Sequence, residues 1–372
     1  MNAATVIRPK KETAGPVLGI LTSAGARGFR GNAANFRDIC RMAKQHGILA
    51  YVFTPEGIDF ATRKVAGFTY EENSRTWRKR TLPFPRIVYN RIPSRREENL
   101  PSMQTLLRRL QEDPQVDLFN PSFLNKWDLY TWLSADPDIA PFLPESCRYS
   151  SELLQPMLSR YRAVYLKPIS GKAGNGIYRL EKTSGTYLLR RQQNGQCLTW
   201  QGTSLKRILT HVHVKPETYL IQQAIDLATY SGRRFDLRLL VQKDRHGAWR
   251  LSGMGVRVAG KHAITTHVPQ GGFIARPETV LKTVFGQERA AEIATDAERI
   301  SLLVAHALDR HFSLLGELSM DIGVDRKGNI WFFEANSKPM KFDEREIRRL
   351  SLARLCHFCQ HLASRSPEEE SE

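Results

Sequence analysis

The apolar positions of this chain follow two rhythms, one of period two and one of period 3.6. Val17-Leu-Gly-Ile-Leu21 is a short continuous apolar run before a loop rich in glycine and alanine, and reads as a buried strand. Over residues 32–47 the residues Phe36, Ile39, Cys40 and Ala43 recur at helical spacing, so the segment predicts an amphipathic helix ended by Gly47. Residues 50–53 return to strand and close at Thr54-Pro55. Strand, helix and strand in that order predict a parallel α/β unit. Phe68-Thr-Tyr70 with Trp77 predicts a small hairpin, and residues 86–89 a further strand.

The rhythm changes at Asn120-Pro121. Residues 126–134 predict a short helix and 163–168 a strand; Gly171, Gly174 and Gly176 follow, then strands at 177–180 and 219–223. Residues 235–242 and 249–258 predict long antiparallel strands turned at Arg245-His246-Gly247. A mainly helical stretch at 277–314 leads to a last strand pair, 318–324 and 330–334, and a closing helix at 343–363. The expected organisation is a disordered leader (1–15), an N-terminal α/β domain (16–120), two α+β lobes (121–222 and 223–365) and an acidic tail (366–372).

Composition narrows the class. A chain of 372 residues has ample material for two or three lobes, and 41% hydrophobic with 25% charged residues is ordinary for a soluble globular protein. No apolar run reaches the roughly 18 residues of a membrane span. The polar N-terminus carries no apolar segment of a secretory signal. Five scattered cysteines argue against a disulfide framework and for a reducing cytoplasm. The formal charge of +17 comes in short clusters such as Arg75, Arg78, Lys79 and Arg80, which attract polyanions. Without an RNP-like motif, zinc-finger spacing or recognition helix, they argue against nucleic acid as the primary partner and read as a solvated basic face.

Chemistry concentrates in three places. A hairpin brings Asp321 beside Glu334, and Asn336 follows two residues on. Two carboxylates and a neutral oxygen make a hard oxygen site suited to Mg²⁺, and acids within apolar strands are costly unless paired or metal-bound. Lys167-Pro168 precedes the loop Gly171-Lys172-Ala-Gly174-Asn175-Gly176, whose N–H groups can wrap phosphate oxygens while the lysine supplies a point charge. It is neither a Walker A sequence nor a Rossmann fingerprint. Asp236 and Arg238 share one strand face, and Arg257 can converge on it. The arginines either hold a γ-phosphate and an oxyanion or form a cross-strand salt bridge. Cys356-His-Phe-Cys359, a lone CxxC, reads as a packed helix, and His211 and His213 as solvent-exposed.

These pieces, with Gly19-Ile-Leu-Thr22, Val88-Tyr-Asn-Arg-Ile-Pro93, Asn125-Lys126-Trp127, Gln222-Gln-Ala-Ile-Asp226 and Glu334-Ala-Asn-Ser-Lys-Pro339, resemble the ATP-grasp superfamily, in its spore-coat-associated YheC/YheD-like branch. The resemblance runs from about residue 19 to 364 and implies an α/β ATP-grasp fold whose two α+β lobes clasp ATP. Lys126 and Lys167 would contact its phosphates, with Gly171, Lys172, Gly174, Asn175 and Gly176 as a lid. Gln222, Gln223 and Ile225 would lie at the adenine hinge, and Asp226 at the ribose. Asp321, Glu334 and Asn336 would hold one or two Mg²⁺, with Mn²⁺ as an alternative, and Arg238 and Arg257 would face an acyl phosphate. His267 and Met340 depart from the superfamily pattern. The implied activity is Mg-ATP-dependent ligation of a carboxylate, with a peptide or acidic polymer among the candidates, to an amine or related nucleophile. The rival expectation is a spore-coat structural or binding protein with little turnover.

Overall fold

The structure, a computed structural model, describes residues 15–171, 175–193, 196–261, 263–266 and 271–365. Its contacts divide the chain into two units, Met1–Leu118 with Cys356–Glu372, and Phe119–Leu355. Among the described residues no helix is long and apolar enough to cross a membrane.

In the first unit, Val17–Leu21 runs parallel to Leu49–Phe53 on one side and to Ile87–Asn90 on the other. A strand with parallel neighbours on both edges is covered on both faces, hence its unbroken apolar run. The helix Ala33–Gln45 starts where the Asn32 side chain accepts the Asn35 N–H at 3.0 Å. It buries Phe36, Ile39 and Ala43, whereas Cys40 is only partly covered. The hairpin is larger than the pattern predicts: Lys64–Glu71 pairs with Thr76–Pro83 throughout. Its second strand is an edge that exposes Arg78, Lys79 and Arg80, so no apolar alternation announces it.

The second unit is built on two antiparallel sheets. One, here the lysine sheet, runs in the order Ser146–Arg148, Tyr219–Gln223, Ala163–Pro168, Tyr178–Thr183, Thr186–Gln193, Gln196–Gly202. The helix Ser151–Tyr161 packs Leu154, Met157 and Leu158 against Val164, Leu166 and Leu180 on one of its faces. This helix and the Ser146–Arg148 strand are absent from the sequence pattern, for Pro156 interrupts the first and the second has three residues.

The other, the arginine sheet, runs in the order Phe273–Ala275, Trp249–Val258, Arg233–Lys243, Glu317–Val324, Ile330–Asn336. The helical stretch before its last strands is two helices, Pro277–Phe285 and Gln287–Asp309, separated by Gly286 at φ 82°. The longer one packs Ile293, Ala297, Ile300, Val304 and Leu308 into a core with Leu237, Leu239, Met320 and Ile322. Side chains alternate along a strand, so Asp236, Arg238 and Asp321 must point to the opposite face. At the entry to the unit, buried Asn120 takes a left-handed φ of 53°. Its carboxamide accepts the Gly316 N–H at 2.8 Å and donates to Glu317 O at 2.9 Å and to Ser337 O, tying the entry segment to both strands of the last hairpin.

Candidate functional site

Register assembles the site. On the arginine sheet Arg238 pairs with Asp321, which pairs in turn with Glu334. One step along, Ser319 pairs with Asn336; one step the other way, Asp236 pairs with Arg257. Residues directly opposite or two apart share a face, so these seven polar side chains lie together on the face away from the long helix.

Their pairing is specific. Arg238 donates to Asp321 Oδ1 at 2.8 Å and to Ser319 Oγ at 3.1 Å. Arg257 grips Asp236 through Nε at 2.9 Å and Nη2 at 2.6 Å, and Nη2 also reaches Asp321 Oδ2 at 2.8 Å. Thr266 donates its hydroxyl to Asp236 as well. Burial alone would pull the Arg257 guanidinium down, but the carboxylates of Asp236 and Asp321 overcome it and hold its pKa above the ordinary value. The cross-strand salt bridge weighed for these arginines therefore exists: Asp236 takes Arg257, and Arg238 takes Asp321.

The lysine sheet supplies the opposing wall. Lys126, at the first turn of the helix Lys126–Ser134, places Nζ 2.9 Å from Glu334 Oε1 and 3.4 Å from Gly171 O. Lys167 donates to Gln222 Oε1, and Gln222 Nε2 donates to Ser146 Oγ at 3.0 Å. Burial pushes the Lys167 ammonium down to about 8; Glu334 opposes the shift and Lys126 reinforces it. Between the walls lies a narrow cleft. Lys126, Lys167, Gln222 and Glu334 supply its polar side, and Leu129, Leu133, Leu143 and Phe332 its apolar side.

Other expected residues lie elsewhere. Gly171, Asn175 and Gly176 line a second depression with Arg148 and Tyr219, whose hydroxyl donates to Gly176 O at 3.0 Å. Gln223 accepts the Glu145 N–H at 3.1 Å, Ile225 O accepts the Leu227 N–H, and exposed Asp226 pairs with Arg326 at 3.0 Å. None of these three lines that cleft. Lys172, Gly174 and His267 lie outside the described residues. Cys356 and Cys359 are buried in the closing helix Arg345–Ser364, as a packed helix requires. His213 is exposed, but His211 is half-buried and stacked on Trp200 with centroids 5.0 Å apart, which the alternation of two histidines does not reveal. Sequence reasoning missed Ser146, Ser319 and the apolar wall. Ser319 was findable, standing two residues from Asp321 on the same strand face.

The donor set suits a hard divalent cation: two carboxylates abreast and an amide oxygen two residues along. Among the described residues no three His, Cys, Asp or Glu side chains form a metal cluster, so the third protein ligand would be the neutral Asn336. An apolar slot beside two lysines likewise suits a nucleotide, its base against the aliphatic wall and its phosphates toward the ammonium groups.

Comparison with known proteins gives this arrangement a context. Residues 115–362 match the model of the YheC/D-like ATP-grasp family. The chain is 32% identical to Endospore coat-associated protein YheD of Bacillus subtilis (strain 168), over 87% of this chain and 73% of that protein. It is 24% identical to Endospore coat-associated protein YheC of the same organism, over 81% and 84%. Among solved structures it resembles D-alanyl-alanine synthetase A from Vibrio cholerae (TM-score 0.51, 12% identity, 94% of this chain and 100% of that one). It also resembles the ATP-grasp ligase PsnB complexed with minimal precursor (TM-score 0.55, 12% identity, 92% and 98%). At such identities the likeness shows the fold, and the fold is ATP-grasp.

Proposed function

The chain belongs to the YheC/D-like ATP-grasp family, and from that premise we propose that it is an ATP-dependent ligase joining a carboxylate to an amine or related nucleophile. One observation carries the reading. Asp321 and Glu334 stand abreast in a sheet and gather Arg238, Arg257, Lys126 and, at longer range, Lys167 around them. A hairpin needs no such concentration of charge, whereas a triphosphate with its counter-ion does.

ATP would lie with its base in the apolar slot and its phosphates toward Lys126 and Lys167, and the loop from Gly171 to Gly176 would close over them. Mg²⁺, held by Asp321, Glu334 and Asn336, would neutralise charge on the phosphoryl group in flight. An oxygen of the substrate carboxylate attacks the γ-phosphorus, the bond to the β–γ bridging oxygen breaks, and ADP leaves. Arg238 meets the transferred phosphoryl group with a planar pair of donors. Arg257, sealed between two carboxylates, acts through Asp321, whose second oxygen it holds. The nucleophile then displaces phosphate from the acyl phosphate, and no side chain becomes covalently modified.

A second reading, a coat-associated protein that keeps the fold with little turnover, draws on the names of the two relatives and on the site's own charges, which neutralise one another. The relatives' names also make spore association part of the proposal. ADP release against a panel of amino acids, peptides and acidic polymers separates the readings. Carboxylate-dependent release supports the ligase; no release from any member, with Mg-ATP still protecting the fold, supports the scaffold.

A further inference from the structure

The polar face of the arginine sheet holds one more carboxylate. Gly255 pairs directly with Arg238, so a side chain at 255 would stand beside the guanidinium. None does, because a Cβ there would meet Glu344 Oε1 at 2.5 Å, and a Cβ at Gly253 would meet Ile347 Cγ1 at 2.5 Å. The two glycines open a lane across the strand Trp249–Val258. The chain entering the last helix passes over that lane and brings the Glu344 carboxylate into the space. Phe342, two residues earlier, is buried with its ring centre 5.9 Å from the Arg238 guanidinium carbon. Glu344 therefore occupies the space that a side chain at 255 would fill, on the same face as Arg238.

It differs from Asp236, Asp321 and Glu334. Asp236 has Arg257, Asp321 has both arginines, and Glu334 has Lys126. Among the described residues Glu344 forms no ion pair, and its Oε2 is buried without a hydrogen-bond donor. In a chain of net charge +17 that is a conspicuous omission. A half-buried carboxylate without a donor is costly, and the cost is relieved by a ligand that brings N–H groups and positive charge.

Building on the ligase reading, we infer that Glu344 receives the ammonium group of an amine nucleophile and holds it beside the acyl carbon. The nucleophile is thereby assigned to the primary amines, in preference to alcohols or thiols. Glu344 first takes one proton from the ammonium, which frees the nitrogen lone pair, and as the C–N bond forms the bond from the acyl carbon to the phosphate oxygen breaks. The nitrogen sheds two protons, one to Glu344 and one that leaves on phosphate as HPO₄²⁻.

The full-length chain is assayed with whichever panel carboxylate supports ADP release, and with one of two nucleophiles near neutral pH. Hydroxylamine is uncharged and reports acyl phosphate as hydroxamate; glycinamide is mainly an ammonium ion. Glu344→Gln is expected to keep hydroxamate formation within about twofold and to lose glycinamide coupling by about 10²-fold, the scale of a positioned proton acceptor. Equal losses with both nucleophiles, or no loss with either, overturn the assignment. Absence of hydroxamate from the wild-type protein with every carboxylate instead brings down the ligase reading, and the role of Glu344 with it. Thermal unfolding supplies a readout without chemistry. Glu344→Gln removes an uncompensated charge and should melt at or above the wild-type temperature; a drop of several degrees would make Glu344 a support of the fold and overturn the inference.

Discussion

Two ion-pair clusters lie side by side on one sheet face, and they are built differently. Around Asp236 everything is closed: Arg257 grips both oxygens, Thr266 adds a third donor, and the side chains of Arg257 and Asp236 are 9% and 5% exposed. Around Glu334 the pairing is single and open, with one contact from Lys126 and side chains 15% and 24% exposed on a cleft that also holds Lys167. Arg238, 19% exposed, stands between the two. Charges sealed on every side hold a sheet together; charges paired once at a cleft wall are available for exchange with a ligand. The same residue types thus divide into clamp and machinery by how completely each is satisfied.

The largest effect should come from opening the clamp. Arg257→Ala strands Asp236 in a buried position and is expected to cost about 3–5 kcal/mol in denaturant unfolding. A loss below about 1 kcal/mol would show that the sealed pair does not hold the sheet. Arg238→Lys tests the middle of the row. It keeps the charge but loses the planar fork, so turnover should fall by about 10²-fold with ATP affinity little changed. Wild-type ADP release together with a lowered melting temperature would move Arg238 into the clamp.

The open cluster is tested by its ligand. Asp321→Asn and Glu334→Gln each remove a negative hard ligand and should abolish Mg-dependent nucleotide protection against thermal unfolding. That protection is worth about 2.7 kcal/mol at a hundredfold excess over Kd. A full ATP-induced shift in both variants would remove the metal from this site. Glu334→Gln is the cleaner of the two, since Asp321 also serves the clamp.

The smallest effect is a pH dependence. Lys167 has its folded-state pKa lowered from 10.5 to about 8, so between these values the unfolded chain binds more protons. Its contribution to stability is unfavourable below about 8 and is relieved as pH rises toward 10.5. Lys167→Met should therefore be more stable than wild type near neutral pH, by a margin that narrows across that window in paired urea titrations. A constant margin would mean that Lys167 keeps its charge through the cleft's own acids.

Much of this architecture is legible in the amino-acid order because strands and helices advertise themselves through local periodicity. The alternation around Leu237 and Leu239 specifies a strand with one apolar face, and it puts Asp236 and Arg238 on the other. The hairpin between Val324 and Ile330 then brings Asp321 near Glu334, but a bulge between Asp321 and Ile322 decides that the two stand abreast, since the unshifted register would set Phe333 opposite Asp321. The glycine loop and the two lysines are equally visible. What local order leaves open is which charges meet. That Arg257 takes Asp236 while Arg238 takes Asp321 depends on how three strands stack in register, and the exposed hairpin strand and the short Ser146–Arg148 strand lack any apolar signal. Glu344 is the clearest case. Nothing in its neighbourhood along the chain connects it to Gly255, nearly ninety residues earlier; a helix crossing a lane of glycines brings them together. Periodicity is a property of neighbours in sequence, whereas the fate of a charge is decided by neighbours in space, and those exist only once the sheet is folded and the helix laid across it.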